Sequence, residues 1–168
     1  MSFGIRAATG SKLSSHIAIV SEKGTTVYEA TYYKGKFAVM ENPIDRYLRD
    51  EYSIIVIRPV CASNKIPAAL AWAKSKVGMK YSWLQVLYVW LLILIRQDTN
   101  AKWFKDVDHS GTHCSEFGCD YSAKLGIYLL EGAECAMCRP KNFIEAVDEG
   151  KFDMVYVDLY AGPVTLNG

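Results

Sequence analysis

The chain has 168 residues, 51% of them apolar, with 19 basic and 18 acidic side chains and a net charge of +1. That length and apolar content suit one domain, residues 1–168, with a sizeable core, and exclude a disordered chain. The balanced charge, with lysine and arginine spread along the chain, supplies no electrostatic reason to expect nucleic acid or an anionic membrane as partner.

The N-terminus, Met1-Ser2-Phe3-Gly4-Ile5-Arg6, lacks an apolar stretch and a cleavage site, so no signal peptide is expected. Five cysteines is an odd number, which argues against a closed disulfide framework. A reducing, cytoplasmic setting is the default expectation. Leu13 to Ser21 alternates around His16, Ala18 and Val20 and reads as a strand. Glu22-Lys23-Gly24 is turn chemistry, and Thr25 to Tyr33 reads as the returning strand. After a second turn at Lys34-Gly35-Lys36, Phe37 to Met40 is expected as a short strand. Asn42-Pro43 opens a polar segment with helical character through Arg49. Ser53 to Arg58 reads as a buried-type strand closed by Pro59. Pro67 suits the first position of a helix over Ala68 to Val77, with Gly78 as its C-cap residue.

Trp83 to Ile95 is apolar except for Gln85 and the hydroxyl of Tyr88. As a helix it spans about 20 Å, too short for a hydrocarbon core of about 30 Å. It reads either as a buried core helix or as an apolar face that meets a lipid, an acyl chain or a partner. Asp98 to Gly111 is polar and expected as loop. Cys114 to Leu125 reads as a helix closed by Gly126, Asn142 to Asp148 as a short helix, and Phe152 to Leu159 as a last strand. Strands, then helices, then a strand suggest the α+β class.

One thiol stands out. Thr112 can cap the adjoining helix, which places Cys114 in the first turn. The positive end of a helix favours a thiolate, and its free N–H groups can hold an oxyanion. His16 is the only histidine in an apolar alternating stretch. A cysteine and a histidine brought together by folding make a nucleophile and its base.

Glu29 is the third candidate. A two-residue turn at Lys23-Gly24 sets His16 opposite Thr31 and makes Glu29 its same-face diagonal neighbour, about 7 Å away. A turn at Glu22-Lys23 sets Glu29 directly opposite His16. A three-residue loop turns Glu29 to the other face and brings Tyr28 to the side of His16. A carboxylate beside His16 would orient the imidazole and stabilise its protonated form.

These residues carry a resemblance. Thr9-Gly10, Ser15-His16-Ile17-Ala18-Ile19-Val20, Val27-Tyr28-Glu29-Ala30, Val77-Gly78-Met79-Lys80-Tyr81 and His113-Cys114-Ser115-Glu116-Phe117 occur along the chain in that order. The set resembles the circularly permuted branch of the NlpC-type papain-like cysteine hydrolases, the YiiX-like group. The lecithin retinol acyltransferase group, more distant, shares the permutation. In this branch the histidine strand precedes the cysteine helix.

The resemblance implies a papain-like fold, with an antiparallel sheet packed against the helix that presents the cysteine. It implies Cys114 as nucleophile, His16 as general base and acid, and Glu29 as the orienting residue. Tyr81 and Ser115 are the implied substrate-binding residues. Ser82 stands where the family often has aspartate. The implied function is a cysteine peptidase or amidase that cleaves an amide or ester bond through an acyl-enzyme, with no metal or cofactor. Its substrate would be a peptide, a cell-wall peptide or a lipid-linked amide. A lipid-directed acyltransferase or esterase of the same fold is the alternative, with Trp83 to Ile95 meeting a membrane or acyl chain. The sequence says nothing of oligomeric state.

The non-enzymatic rival is a zinc module built on Cys114, Cys119, Cys135 and Cys138. Cys135-Ala136-Met137-Cys138 has zinc-like spacing. Cys114 and Cys119 do not, because helix positions five apart diverge by roughly 140°. A redox role for the CxxC pair is weaker, since the motif does not open a helix after a strand. His113 is expected to face solvent or to cap the helix.

Overall fold

The computed structural model describes residues 16–48, 53–94, 110–132 and 134–158. The Thr9-Gly10 motif, the start of the first expected strand, most of the 98–111 loop and the last residue of the apolar segment lie outside them.

The framework is a five-stranded sheet. Strands β1 (Ile19–Val20), β2 (Thr26–Tyr33) and β3 (Lys36–Pro43) form an antiparallel meander. Lys34 and Gly35 both adopt positive φ, 49° and 80°, the geometry of a type I′ turn. That turn pairs Tyr33 with Lys36 and carries the register out to Thr26 opposite Pro43. The β1–β2 pairing puts Ile19 opposite Tyr28 and Val20 opposite Val27. This is the register of the Lys23-Gly24 turn. The loop itself is wider, because the Ser21 N–H donates to the Thr26 carbonyl at 2.9 Å and residues 22–25 lie between them.

Strand β3 is longer than expected, and the polar segment after it makes only one 3-10 turn, Ile44–Arg46. Strand β4 (Ile54–Pro59) pairs with β7 (Phe152–Asp158) in a separate antiparallel ribbon. Two strands of two residues complete the large sheet. Strand β5 (Lys80–Tyr81) joins β3 antiparallel, and β6 (Gly111–Thr112) joins β5 in parallel. Neither is long enough to show an alternating pattern. At Gly111 the chains approach closely: a Cβ there would lie 2.7 Å from the Lys80 carbonyl oxygen.

Helix α1 (Ile66–Ser75) begins one residue before Pro67. Its buried alanines let it approach the central helix: Ala73 shares a cluster with Phe117, and Ala69 one with Leu125. Helix α2 (Trp83–Leu94) is the apolar segment. Gln85 is buried and donates to the Ala136 carbonyl at 3.0 Å, while Val89 and Leu92 pack on Met137. Trp83, Leu84, Leu87, Trp90 and Leu91 stay exposed, so the helix is buried on one side only. Among the described residues no helix is long and apolar enough to cross a membrane.

Helix α3 (Cys114–Lys124) lies at the centre, with seven of its 11 residues buried. Helix α4 (Pro140–Asp148) packs Phe143 near it. Cys119 of α3 is disulfide-bonded to Cys135, with their Cα atoms 5.5 Å apart. One bridge among five cysteines is not a closed framework, though the odd count gave no sign of this pair. Cys61, Cys114 and Cys138 are free thiols.

The α+β class holds. Gly118 sets the distance between α3 and the lead-in to β1. A Cβ there would meet Phe143 Cζ at 2.7 Å and Ile17 Cγ2 at 2.8 Å. Gly118→Ala should therefore cost about 1–3 kcal/mol by overpacking. It should also slow alkylation of Cys114, because Ile17 carries the adjacent His16. Chemical denaturation and thiol labelling check both effects.

Candidate active site

Cys114 occupies the first position of α3 and is 8% exposed. The N-cap is His113 in extended conformation, not Thr112 as the sequence suggested. The reason is the ladder: Thr112 is paired with Tyr81 in β6, and the helix begins where that strand ends. The thiol therefore sits at the positive end of a helix whose first N–H groups have no intrahelical acceptor.

His16 lies just before β1, and its side chain is 29% exposed. Its Nε2 is 2.5 Å from Glu29 Oε2, and its ring also hydrogen-bonds the Cys114 thiol. The sheet and helix α3 thus bring together the three residues singled out from the sequence. Tyr28 instead joins the core cluster with Ile19 and Phe117.

Glu29 is completely buried. Its Oε1 accepts from Asn42 Nδ2 at 2.9 Å and from Arg46 Nη1 at 3.0 Å. Its Oε2 accepts from the Tyr47 hydroxyl as well as meeting His16. Tyr47 also stacks on the His16 ring, with centroids 6.2 Å apart and planes 22° from parallel. Sequence reasoning misses Asn42, Arg46 and Tyr47. They come from the polar 42–49 stretch, and nothing in its spacing shows that they converge on Glu29.

The electrostatics favour an ion pair. Burial opposes a thiolate at Cys114. The hydrogen bond and charge of His16, with the charge of His113, outweigh it and bring the thiol down to about 7. Burial also opposes protonation of His16. Its hydrogen bonds to Cys114 and Glu29, and their charges, raise it to about 10. Glu29 is held below its ordinary value despite its burial, chiefly by the hydrogen bond and charge of His16. Each group thus favours the charged form of the other, Cys114 thiolate with His16 imidazolium.

Tyr81 lies at the end of β5 beside the thiol. Burial, then the charge of Cys114, push its phenol well above the ordinary range, so it stays a hydrogen-bond donor. Ser115 is 1% exposed, and its hydroxyl is 3.9 Å from Cys114 Sγ, so it faces the thiol from the interior. Ser82 is buried, and its N–H donates to the Thr112 carbonyl at 2.9 Å.

His113 is 5% exposed rather than solvent-facing. Glu116, three residues on, accepts from the His113 backbone N–H at 3.2 Å. A glutamate at that spacing is the reciprocal half of a capping box, a signal visible in the sequence.

The cysteine tetrad does not converge. Cys119 and Cys135 are bonded to each other, which also removes the CxxC pair as a dithiol. Among the described residues no group of three or more His, Cys, Asp or Glu is disposed to hold a metal ion.

Comparison with models of known protein families, with curated proteins and with solved structures finds no match. The chemistry of the site is therefore read from its geometry.

Alkylation of Cys114 by iodoacetamide should rise with pH through a midpoint near 7. A free thiol titrates at about 8.5. His16→Ala should move the midpoint upward, and peptide mass spectrometry locates the adduct. The stability contributions have opposite signs. That of His16, raised from 6.5 to about 10, is complete below pH 6.5 and lost as pH rises through about 10. That of Glu29, lowered from 4.5, is present above pH 4.5 and lost as pH falls through its depressed value. Urea melts across pH should show stability falling on both flanks, with the alkaline loss smaller in His16→Ala but not abolished, because His113, Tyr81 and Cys138 are raised too.

Proposed function

We propose that this protein is a cysteine-dependent hydrolase that cleaves an amide or ester bond through a thiol acyl-enzyme. One observation carries the reading: His16 bridges the Cys114 thiol and the buried Glu29 carboxylate. The order of a histidine strand before a cysteine helix supports a permuted, papain-like NlpC-type architecture. Peptide, cell-wall peptide and lipid-linked amide substrates fit this chemistry.

The Cys114 thiolate attacks the carbonyl carbon, and the oxyanion is stabilised by the first-turn N–H groups of α3, with the Tyr81 hydroxyl as a further donor. The C–N or C–O bond then breaks, and His16 gives its proton to the leaving group. A thioester remains on Cys114. Water attacks it with His16 as base, which releases the acid and restores the thiol.

A second reading rests on a separate observation. The exposed Trp83, Leu84, Leu87, Trp90 and Leu91 form one apolar stripe on α2, beginning two residues after Tyr81. Exposed apolar stripes of this kind meet lipid or protein. The stripe favours an acyl-bearing substrate for the same thiol, with hydrolysis or transfer of the acyl group.

On p-nitrophenyl esters and peptide amides, Cys114→Ala should abolish turnover while leaving the fold intact. His16→Ala should lose about 10²–10⁴-fold in kcat/KM, and Glu29→Gln should lose less. Full activity in Cys114→Ala would overturn the mechanism. For the second reading, phosphatidylcholine vesicles should compete for the enzyme, and Leu87→Glu with Leu91→Glu should abolish that competition. Unchanged activity with and without vesicles would sink it.

A further inference from the structure

Each ring nitrogen of His113 meets an oxygen acceptor. Its Nε2 lies 3.2 Å from the Cys138 carbonyl oxygen, and its Nδ1 lies 3.1 Å from Glu116 Oε2. A carbonyl oxygen can only accept, so Nε2 must carry a proton. An ionised carboxylate can only accept, which calls for a proton on Nδ1 as well, against the Glu116 backbone N–H that also faces this side chain in the capping box. The same Glu116 oxygen accepts the His113 backbone N–H. The neutral ring can satisfy only one of these acceptors as a donor. We infer that His113 is a fixed imidazolium whose charge, one residue before Cys114 at the positive end of α3, is a second cation stabilising the thiolate.

This inference rests on the thiol chemistry proposed above and gives the two histidines different roles. His16 exchanges its proton with the reacting groups and is partly open to solvent. His113 is buried with both nitrogens engaged, so it holds its protons throughout. It is a positioning residue that acts through Cys114.

The surrounding charges are consistent with that role. On α3, Glu116 compensates the imidazolium directly, and Asp120 lies one turn further along. From the facing 134–139 segment come the Cys138 thiol and Arg139. Burial and the charge of Cys114 push the Cys138 thiol far up, so it adds no negative charge. Burial of His113 disfavours the cation, but Glu116, Cys114 and the Cys138 carbonyl reverse that and raise it above 6.5. The disulfide to Cys135 ties the segment that carries the Cys138 carbonyl to α3.

The alternative places the proton on Glu116 and leaves His113 Nδ1 bare. Nitrogen NMR of the full-length protein, labelled in its histidine rings, separates the two at pH 7.5. The inference expects His113, assigned through its own backbone, to show two protonated ring nitrogens. A pyridine-type nitrogen on that ring overturns it, and this arm requires no variant. Glu116→Gln supplies a second arm, because its amide N–H can donate to Nδ1 and leave the ring neutral. Its Cys114 labelling curve should shift upward by about one pH unit, about tenfold less thiolate below the midpoint. A curve superimposable on the wild type overturns the inference while a shifted His16→Ala curve keeps the hydrolase reading. Should the wild-type thiol titrate as an ordinary thiol, indifferent to His16→Ala, the hydrolase reading fails. The ring NMR then still decides the state of His113.

Discussion

The buried Glu29 carboxylate is the constraint around which the rest is arranged. A charge without solvent costs several kcal/mol unless it is paired and its lone pairs are filled. Glu29 meets that requirement with four partners: His16, Asn42, Arg46 and Tyr47. They come from the lead-in to β1, the end of β3 and the 3-10 turn after it. The Lys34-Gly35 turn aligns β2 with β3, so Asn42 falls within reach. Orientation of His16 is thus a by-product of satisfying one carboxylate. The same carboxylate, with the Cys114 thiol, also raises the affinity of His16 for its proton.

The opposite side of the site is governed by a polar helix in an apolar place. Helix α3 buries Ser115, Glu116 and Ser122 along with Cys114 and Phe117. Each of these buried polar side chains finds a polar neighbour close by in the chain. Ser122 returns its hydroxyl to the Gly118 carbonyl at 2.9 Å, Glu116 takes the His113 N–H, and Ser115 faces the thiol. Such local bonds let a helix of low apolar content serve as the central element. They also leave the first turn free of competing carboxylates on the side of the thiol, since Glu116 is turned back to His113.

Much of the site was legible in the sequence, for local reasons. His16 sits in an alternating stretch next to a turn, so its relation to Glu29 came from hairpin register. Cys114 comes after a strand-to-helix junction, and the helix it opens has clear length and a glycine stop. What could not be read was non-local. Cys119 and Cys135 are 16 residues apart, and their pairing depends on how the chain returns to α3. Strands β5 and β6 are two residues each and carry no periodicity. Arg46 and Tyr47 looked like an ordinary polar surface stretch because their partner is inside the sheet. The N-cap was misplaced by one residue because Thr112, a good capping residue by type, was already committed to a strand pairing.

The parallel contact between β5 and β6 has an architectural consequence. Chain leaves the sheet after Tyr81 and returns at Gly111 on the neighbouring strand, with Lys80 opposite Gly111 and Tyr81 opposite Thr112. The exit and the return are clamped side by side whatever lies between them. The thiol, two residues after Thr112, is thereby held next to the point where the chain departs for α2, and the buried side of that helix is anchored separately, through Gln85 on the Ala136 carbonyl and through Val89 and Leu92 on Met137. The exposed stripe of α2 thus rides on a helix pinned at two places, by the β5–β6 rungs at its start and by Met137 along its buried side.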